Sequence, residues 1–382
     1  MKLLYIHDGP ISRDENNTYY SYSYSNLDRR YSIFSQNISL LIRCKNVVGN
    51  NKATPIPKNI RVVIVPNFKV IKNYLKNKIR VKEILNKEIR ETDFLVLKMH
   101  SSNAFLAYRY AKKYNKPYLV EYVSCAWDSY WNYSLLGKIL APIMELQTKI
   151  VAKNAPYNYY VTKEFLQKHY PCNGLQLGCS DVELNEFDER ILYSRKSKLS
   201  SKIIIGTAAS LDVKYKGQQY VIKAISELKK QGIELEYHLA GGHNPANTYL
   251  MDIAKKYGVE SNIIYVGMLN SEQIFDFYDS LDLYIQPSKQ EGLPRSVVEA
   301  MSRGCPVLGS NIAGLPELLE KEFLFKPGNV KQIVQKIRMI LNMDLTKVSE
   351  RNFNKAKEYD SSLLKKQREN FYRQILEDMK SK

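Results

Sequence analysis

The sequence predicts an α/β protein made of two tandem, doubly wound parallel sheets with a cleft between them. The chain has 382 residues, a length that suits two domains of roughly 150 to 200 residues each. Short apolar runs alternate with longer helical patterns, as expected for parallel βα units. A polar stretch over residues 181–201 separates two such series, which predicts one sheet on each side of it.

The first series predicts a Rossmann-like domain over residues 1–178, with helices between most of its strands. Its predicted strands are Leu3–Ile6, Ile38–Ile42, Val62–Val65, Phe94–Lys98, Tyr118–Tyr122 and Tyr157–Val161. We expect ligands to bind in the cleft between this domain and the next, at the carboxyl ends of the strands.

The second series predicts another Rossmann-like domain over residues 179–360. Its predicted strands are Ile203–Gly206, Glu236–Ala240, Ile263–Val266, Leu283–Gln286, Pro306–Gly309 and Phe323–Phe325. Its predicted helices are Gln218–Gln231, Tyr249–Tyr257, Ser271–Leu281 and Arg295–Arg303. Residues 361–382 have the apolar spacing of an amphipathic helix, which we expect to pack back on the first domain.

Apolar runs and cysteine usage indicate the cellular compartment of the protein. No apolar run approaches the ~18 residues of a membrane span, and the first ten residues fit a β-strand better than a signal peptide. Five scattered cysteines without zinc-like spacing indicate reduced thiols. We therefore expect a cytoplasmic protein.

Positive charge is concentrated in the first half of the chain. Residues 1–180 contain 27 Lys and Arg against 12 Asp and Glu, a net charge of +15, whereas residues 181–382 contain 30 against 27, a net charge of +3. Such asymmetry indicates an anionic partner, either a membrane surface or a nucleic acid, although compositional bias explains Lys abundance equally well.

The most informative segment is 286–306, which begins at the end of a predicted strand. A glycine-containing loop follows, and Pro294 stands where a helix can begin. The N–H groups and positive dipole end of that helix suit a diphosphate. Glu291 precedes the helix and Glu299 lies near its first turn, where carboxylates can accept hydrogen bonds from sugar hydroxyls. Stabilisation of the helix N-terminus is the structural alternative for both glutamates.

The full pattern resembles the retaining glycosyltransferases of family 4, the glycosyl transferases group 1, which have the GT-B fold. The resemblance rests on Glu291-x7-Glu299 with Gly-Leu-Pro inside it, on the Ala-Met-x-x-Gly-x-Pro-Val that follows, on the segment 309–317 and on Tyr265-Val-Gly-Met268. It is close over residues 203–325 and loose in the first half.

The resemblance implies that residues 1–178 bind the acceptor and that residues 179–360 bind a nucleotide-sugar donor. It also implies which residues hold that donor. The implied catalytic residues are Glu291, Lys216 and His100. The implied donor-binding residues are Gly9, Lys214, Lys216, Met268, Glu291, Gly292, Leu293, Pro294 and Glu299. In this assignment Glu291 contacts the sugar, Glu299 the ribose, and Lys216 the departing diphosphate.

The chain also departs from the family pattern. The family arginine is absent near Ser210 and Leu211, and Lys214 is the nearest substitute. The segment from His7 to Pro10 has one glycine where the family has a glycine-rich loop. Val123 or Ser124 stands at the position of a second cleft histidine, so no acceptor-activating histidine can be assigned there.

The expected reaction transfers a sugar from a nucleoside diphosphate, with UDP as the expected nucleotide, to a glycan or lipid-linked saccharide with retained configuration. We expect neither a cofactor nor a metal, because the sequence has no Asp-x-Asp at a strand end. Capsule, other cell-surface polysaccharide, or glycolipid synthesis is the expected process.

The helical segment Lys72–Arg90 is the predicted membrane contact. It contains seven basic and two acidic residues interleaved with apolar ones. Basic amphipathic helices can lie on anionic membranes, and core packing of the same helix is the alternative. Such contact predicts peripheral attachment to the inner face of the cell membrane.

Other functions remain open on the sequence alone. Absence of the arginine and of a cleft histidine is compatible with a catalytically degenerate transferase-like scaffold. The basic first half suits a nucleic-acid-binding protein, although it shows no helix-turn-helix, zinc-finger or aromatic RNA-binding signature, so no specific nucleic acid is expected. A sugar-nucleotide epimerase or a phosphorylase of the same fold is the enzymatic alternative.

Overall fold

The computed structural model describes residues 1–21, 23–47, 53–68, 73–195, 203–242 and 247–381. Each half of the chain forms one largely parallel sheet with helices packed on it. This architecture confirms the predicted α/β class with two doubly wound sheets. Among the described residues, no helix is both long and apolar enough to cross a bilayer.

The first sheet has its strand order reversed at its centre. Its described strands are β1 (Lys2–Arg13), β2 (Tyr19–Tyr20), β3 (Asn37–Asn46), β4 (Arg61–Ile64), β5 (Phe94–Met99), β6 (Tyr118–Tyr122), β7 (Tyr157–Tyr160) and β8 (Leu175–Gly178). They follow the order β4-β3-β1-β5-β6-β7-β8, and β2 pairs antiparallel with the end of β1. The reversal between β1 and β5 is a topological switch point, the usual place for a ligand in such sheets.

The second sheet repeats this arrangement. Its described strands are β9 (Ile203–Ala208), β10 (Leu235–Ala240), β11 (Ile263–Gly267), β12 (Leu283–Gln286), β13 (Val307–Ser310) and β14 (Leu324–Phe325). They follow the order β11-β10-β9-β12-β13-β14 in parallel register. The switch point therefore lies between β9 and β12, whose carboxyl ends carry the residues of the predicted donor site.

Helices cover both sheets. The helices of the first half are α1 (Leu27–Arg30), α2 (Tyr74–Arg90), α3 (Ser102–Lys113), α4 (Ala126–Trp131), α5 (Leu135–Asn154) and α6 (Phe165–His169). Those of the second half are α7 (Ile191–Ser194), α8 (Gln218–Lys229), α9 (Tyr249–Lys256), α10 (Gln273–Ser280), α11 (Arg295–Ser302), α12 (Leu315–Leu318), α13 (Val330–Leu341), α14 (Thr346–Ala356) and α15 (Ser361–Ser381). Short 3-10 turns include Lys214–Lys216, which precedes α8.

The central strands are buried on both faces, as continuous apolar runs predict for parallel sheets. All four residues from Phe94 to Leu97 are fully buried. The last helix, α15, follows the second sheet in the chain but lies against the first. Tyr372 of α15 stacks on Tyr31 at 5.6 Å between ring centroids, and Tyr157 donates a hydrogen bond of 2.7 Å to Asp378.

The first strand extends from Lys2 to Arg13, so its predicted end at Ile6 is wrong. After a register shift between Ile6 and Pro10, β1 pairs with β3 again as far as Arg13. The Asp8 carboxylate lies in the shifted segment, where it accepts hydrogen bonds of 2.7 and 2.8 Å from the backbone N–H groups of Ser102 and Asn103. These contacts hold the segment onto the start of α3, so the chain does not turn away.

The helix α2 covers most of the segment Lys72–Arg90, for which membrane contact was predicted and core packing was the alternative. Lys72 lies outside the described residues. Val81, Leu85 and Ile89 of α2 are buried in the core, whereas Leu75 and Ile79 are exposed. Core packing therefore accounts for the later turns of the helix, and its beginning keeps an exposed apolar side.

Gly217 provides the first testable prediction, because it combines a left-handed backbone with a close contact. Its φ is +81°, and a Cβ there would lie 2.0 Å from the Pro287 carbonyl oxygen. Gly232 has a φ of +78° with nothing within 4 Å of its Cβ position, so it serves as a matched control.

Gly232→Ala should cost about 1 kcal/mol of unfolding free energy for the backbone conformation alone, and Gly217→Ala should cost ~3 kcal/mol because the clash adds to it. Urea unfolding monitored by circular dichroism measures both. Equal costs would show that the contact with Pro287 imposes no constraint.

Candidate active site

An ion pair joins the two strand ends at the switch point of the second sheet. Lys216 ends the 3-10 turn that follows β9, and Glu291 lies in the loop that follows β12. The Lys216 Nζ atom lies 2.8 Å from Glu291 Oε1. The structure thus brings together two of the three residues predicted to be catalytic, which are 75 positions apart in the chain.

Glu291 is held in one orientation by its neighbours. Gln286, the last residue of β12, donates from Nε2 to Glu291 Oε1 at 2.8 Å. The side-chain amide oxygen of Gln286, Oε1, in turn accepts a hydrogen bond of 2.6 Å from the Tyr284 hydroxyl. Only 9% of Glu291 is exposed. A carboxylate so buried requires a charged partner and hydrogen bonds, and Lys216 and Gln286 provide them.

Gly292 and Leu293, which follow Glu291, lie close to the first half of the chain. A Cβ on Gly292 would lie 2.0 Å from the Val123 carbonyl oxygen, so only glycine fits there. The Gly292 carbonyl accepts a 2.9 Å hydrogen bond from Gly314 N–H. Leu293 lines a small crevice together with Val161 of the first half. The loop therefore lies where the two halves meet.

Pro294 is the N-cap of α11, and Glu299 is the fifth residue of that helix. Glu299 thus lies just beyond the first turn, where stabilisation by the helix dipole is weak. Burial raises the pKa of Glu299. Its Oε2 accepts a 2.9 Å hydrogen bond from the Tyr278 hydroxyl, and its Oε1 lies 3.8 Å from Arg295. The Glu299 carboxylate is therefore a largely buried hydrogen-bond acceptor.

Lys214 and Met268 lie apart from the ion pair. The Lys214 ammonium is exposed and sits 4.8 Å from the ring centre of Tyr249, at the start of α9. Met268 follows β11, is 50% exposed, and lies beside Gly242. Lys214 therefore turns toward α9, whereas Lys216 turns toward Glu291. At the position of the missing arginine, Leu211 is buried.

Gly9 lies within β1, not in a glycine-rich loop. Its N–H donates to His7 Nδ1 at 3.0 Å, and the Tyr24 hydroxyl lies 2.6 Å from the same nitrogen. These contacts, with those of Asp8 to α3, fix the shape of the segment.

His100 follows β5, and its ring is enclosed. Its Nε2 lies 2.5 Å from the Ser124 carbonyl oxygen and its Nδ1 lies 3.2 Å from Thr148 Oγ1. Burial lowers the pKa of His100 to about 4, so the ring is neutral near pH 7. With both nitrogens occupied, these contacts favour a structural role over the predicted catalytic one.

Two polar contacts between the halves were not anticipated from the sequence. The Glu317 carboxylate accepts hydrogen bonds of 2.7, 3.1 and 2.7 Å from the backbone N–H groups of Lys163, Glu164 and Phe165. Gln290 donates a 3.2 Å hydrogen bond to Ser129 of α4. Glu317 was visible in the sequence as part of the family pattern, but its partners are local to this fold.

Sequence spacing also failed to reveal a cluster of Cys125, Glu145 and His169, whose ligand-type atoms lie within 4.8 Å of one another. His169 Nε2 is 3.4 Å from Cys125 Sγ and 2.7 Å from Glu145 Oε1. Because one nitrogen faces both groups, the cluster cannot relay a proton from the sulfur to the carboxylate.

Hydrogen bonding to Cys125 and then to Glu145 raises the pKa of His169 to about 10. Against the raising effect of burial, hydrogen bonds from His169 and Tyr170 lower the pKa of Glu145 to about 2. The two side chains therefore form an ion pair at neutral pH.

This ion pair predicts a pH-dependent stability. Because the pKa of His169 is higher in the folded state than the value of about 6.5 in the unfolded chain, its protonation stabilises the fold. This stabilisation is complete below a pH of about 6.5 and is lost as the pH rises through about 10. His169→Gln should therefore lower the thermal midpoint clearly at pH 6 and progressively less toward pH 10, as differential scanning fluorimetry can measure.

His238→Gln is the matched control, because His238 pairs at 3.2 Å with the more exposed Glu236. The fall in thermal midpoint that it causes at pH 6, where the His169–Glu145 ion pair is fully formed, should be smaller than that of His169→Gln. A deficit of His169→Gln that stays constant from pH 6 to pH 10 would contradict the assigned ion pair.

Comparison with known proteins places these features in a family. The model of the family "Glycosyl transferases group 1" matches residues 190–359. "Protein CapJ" of Staphylococcus aureus is 36% identical over 350 residues, which cover 90% of this chain and 87% of that protein. The putative colanic acid biosynthesis glycosyltransferase WcaL of Escherichia coli K12 is 27% identical over 138 residues, 34% of each chain.

Solved structures share the fold over the full length. The sucrose-phosphate synthase of Thermosynechococcus elongatus superposes with a TM-score of 0.71 at 13% identity, covering 99% of this chain and 100% of that one. Anabaena Alr3699/HepE, solved in complex with UDP and glucose, superposes with a TM-score of 0.66 at 15% identity and covers 100% of both chains. At these identities the likeness concerns the fold alone, and it confirms the predicted GT-B architecture.

Proposed function

The chain belongs to the glycosyl transferases group 1 family and is a glycosyltransferase, and from this premise we propose that it transfers a sugar from a UDP-sugar to a hydroxyl group with retained configuration. The acceptor is a glycan or a lipid-linked saccharide. Residues 1–178 bind this acceptor and residues 179–360 bind the donor. The UDP complex of HepE, a protein of the same fold, supports the nucleotide.

The Lys216–Glu291 ion pair is the observation that carries this proposal. A fixed ammonium at the switch point can stabilise the negative charge that develops on the leaving diphosphate without reorganising. The free N–H groups at the start of α11 add to this stabilisation. Glu291, held by Gln286 at 2.8 Å, is placed to accept hydrogen bonds from the sugar hydroxyls.

Glu299 is the proposed ribose contact. Two vicinal hydroxyl groups can donate to one carboxylate, and Tyr278 already fixes one of its oxygens at 2.9 Å. Met268 and Lys214, on the β11 and β9 sides of the same edge, are proposed to flank the nucleotide. Gly9 and His100 are proposed to border the site from the first half, with His100 supporting the Ser124 carbonyl.

In the proposed reaction the acceptor oxygen forms a bond to the anomeric carbon on the face that the phosphate leaves. The bond between that carbon and the phosphate oxygen breaks, and its electron pair departs with UDP. The acceptor proton passes to the leaving phosphate. Retained configuration follows from attack and departure on one face.

We place the enzyme in the synthesis of a cell-surface polysaccharide such as capsule, or of a glycolipid. The similarity to a putative colanic acid biosynthesis glycosyltransferase supports a polysaccharide product. The net charge of +15 in residues 1–180 supports a site of action at an anionic membrane surface.

Donor binding tests the proposal. Isothermal titration with UDP should give saturable binding, and Lys216→Ala should weaken it at least tenfold, about 1.4 kcal/mol. Glu299→Gln should weaken it similarly through the ribose. Lys230→Ala is the control, because Lys230 follows α8 and its exposed ammonium pairs with Glu227 of that helix, not with a residue of the proposed donor site. A folded protein that binds neither UDP nor GDP would refute the proposed donor site.

Chelation tests the proposed chemistry. The sequence has no Asp-x-Asp motif at a strand end that could hold a metal ion beside the diphosphate. We therefore assign stabilisation of the diphosphate charge to Lys216 and the start of α11. Sugar transfer should then keep its rate in excess EDTA. The assay follows release of UDP from UDP-sugars by liquid chromatography with an acceptor mixture. Loss of turnover in EDTA, restored by Mg²⁺ or Mn²⁺, would contradict metal-independent transfer.

A further inference from the structure

The helices α4 and α5 carry a continuous apolar surface that the protein leaves uncovered. Its side chains are at least one-third exposed, from 37% for Trp127 to 83% for Tyr133. This surface, the α4–α5 apolar face, consists of Trp127, Trp131, Tyr133, Leu135, Leu136, Ile139, Ile143, Leu146 and Ile150. Single exposed apolar side chains are ordinary, but a contiguous set of this size marks an interaction surface.

Helical spacing aligns these side chains. Leu136, Ile139, Ile143, Leu146 and Ile150 recur three or four residues apart, so they form one stripe about 21 Å long. The opposite side of α5 is also apolar, and it is the side that packs against the rest of the fold. Its buried residues include Gly137, Ala141, Thr148, Val151 and Ala152. The stripe is therefore additional to the apolar side that the core requires.

Basic residues accompany the stripe. Lys138, Lys149 and Lys153 of α5 are exposed. The one carboxylate of α5, Glu145, is buried and paired with Lys149 and His169. The exposed side of α5 consequently combines apolar side chains with positive charge and no exposed acid. A second copy of the chain would set these lysines against like charges, whereas an anionic surface complements them.

Aromatic residues complete the pattern at one end of the face. Trp127 and Trp131 stack with ring centroids 5.2 Å apart, and the Lys138 ammonium lies 5.6 Å from the Trp131 ring centre. Tryptophan, tyrosine and lysine beside aliphatic residues are typical of helices that lie in the interface of a bilayer.

We propose that the α4–α5 apolar face docks on the surface of an anionic lipid bilayer, with α5 lying in the membrane plane. This inference rests on the proposed function, because it supplies the route by which a lipid-linked acceptor reaches the site. It also moves the membrane contact from α2, where only the beginning of the helix keeps an exposed apolar side, to the α4–α5 hairpin.

Docking of this face would place the proposed active site beside the membrane. Ser129 of α4 accepts the 3.2 Å hydrogen bond from Gln290, the residue that precedes Glu291. The hairpin that carries the face therefore contacts the loop that carries the sugar-binding glutamate. A lipid-anchored saccharide that extends a short distance from the bilayer could enter the site without leaving the membrane.

Vesicle flotation tests the proposal with the full chain. Wild-type protein should float with vesicles of equal phosphatidylcholine and phosphatidylglycerol, and at least tenfold less with phosphatidylcholine alone. The double variant Ile139→Gln, Ile143→Gln should lose at least tenfold in binding to the anionic vesicles. The double variant Leu75→Gln, Ile79→Gln at the start of α2 is the matched control, because it also removes two exposed aliphatic side chains. It should bind the anionic vesicles within about twofold of wild type, because these side chains lie outside the α4–α5 apolar face.

Companion measurements separate the outcomes. All variants should keep the wild-type circular dichroism spectrum and UDP affinity, because the substituted side chains are exposed and none belongs to the donor site. Equal flotation of wild type and the α5 variant would overturn the inference. The inference would also be overturned if light scattering showed that wild type is a dimer, and that the α5 variant is a monomer whose vesicle binding is unchanged. Wild type that binds UDP but no vesicles would refute the docking alone, whereas vesicle binding without UDP binding would refute the proposed donor site.

Discussion

The ion pair between Lys216 and Glu291 is the contact on which the arrangement of the site depends. It requires the chain after β9 to approach the loop after β12 closely, and Gly217 allows this approach because a Cβ there would lie 2.0 Å from the Pro287 carbonyl oxygen. Both charges are largely removed from water, and each offsets the free-energy cost of burying the other. Loss of either would leave an uncompensated buried charge. With Glu291 held in place, the chain continues through Gly292 to α11, which positions Glu299.

The same loop joins the two halves of the chain. Gly292 packs on the Val123 carbonyl oxygen, Gln290 bonds to Ser129, and the carboxylate of Glu317 accepts three backbone N–H groups of the first half. Two of the proposed donor residues are thus at this junction: Gly292 itself contacts the other half, and Glu291 follows Gln290, which does so too. We therefore expect donor binding to be coupled to the relative placement of the halves, and the contact of Gln290 with α4 to extend this coupling toward the proposed membrane surface.

The sequence predicted what depends on local pattern. The apolar run of β12 is bounded by polar residues, and its predicted limits, Leu283–Gln286, are those of the structure. The end of β1 was misplaced because it depends on pairing with β3 and on contacts of Asp8 with α3, both distant in sequence. Lys216 and Glu291 were each identified by resemblance, but their contact is a product of strand order. The Cys125 and His169 pair has no regular spacing, and α5 is apolar on two sides, so periodicity alone could not show which side the core covers.

A structure of the protein with bound UDP tests the central claim most directly. We expect the diphosphate at the start of α11 within hydrogen-bond distance of Lys216 Nζ, and the ribose hydroxyls on the Glu299 carboxylate. Glu291 should remain beside Lys216, facing the space that the sugar occupies. UDP bound elsewhere, for example at the switch point between β1 and β5, with Lys216 and Glu299 unliganded, would contradict the assignment of the donor site to the second sheet.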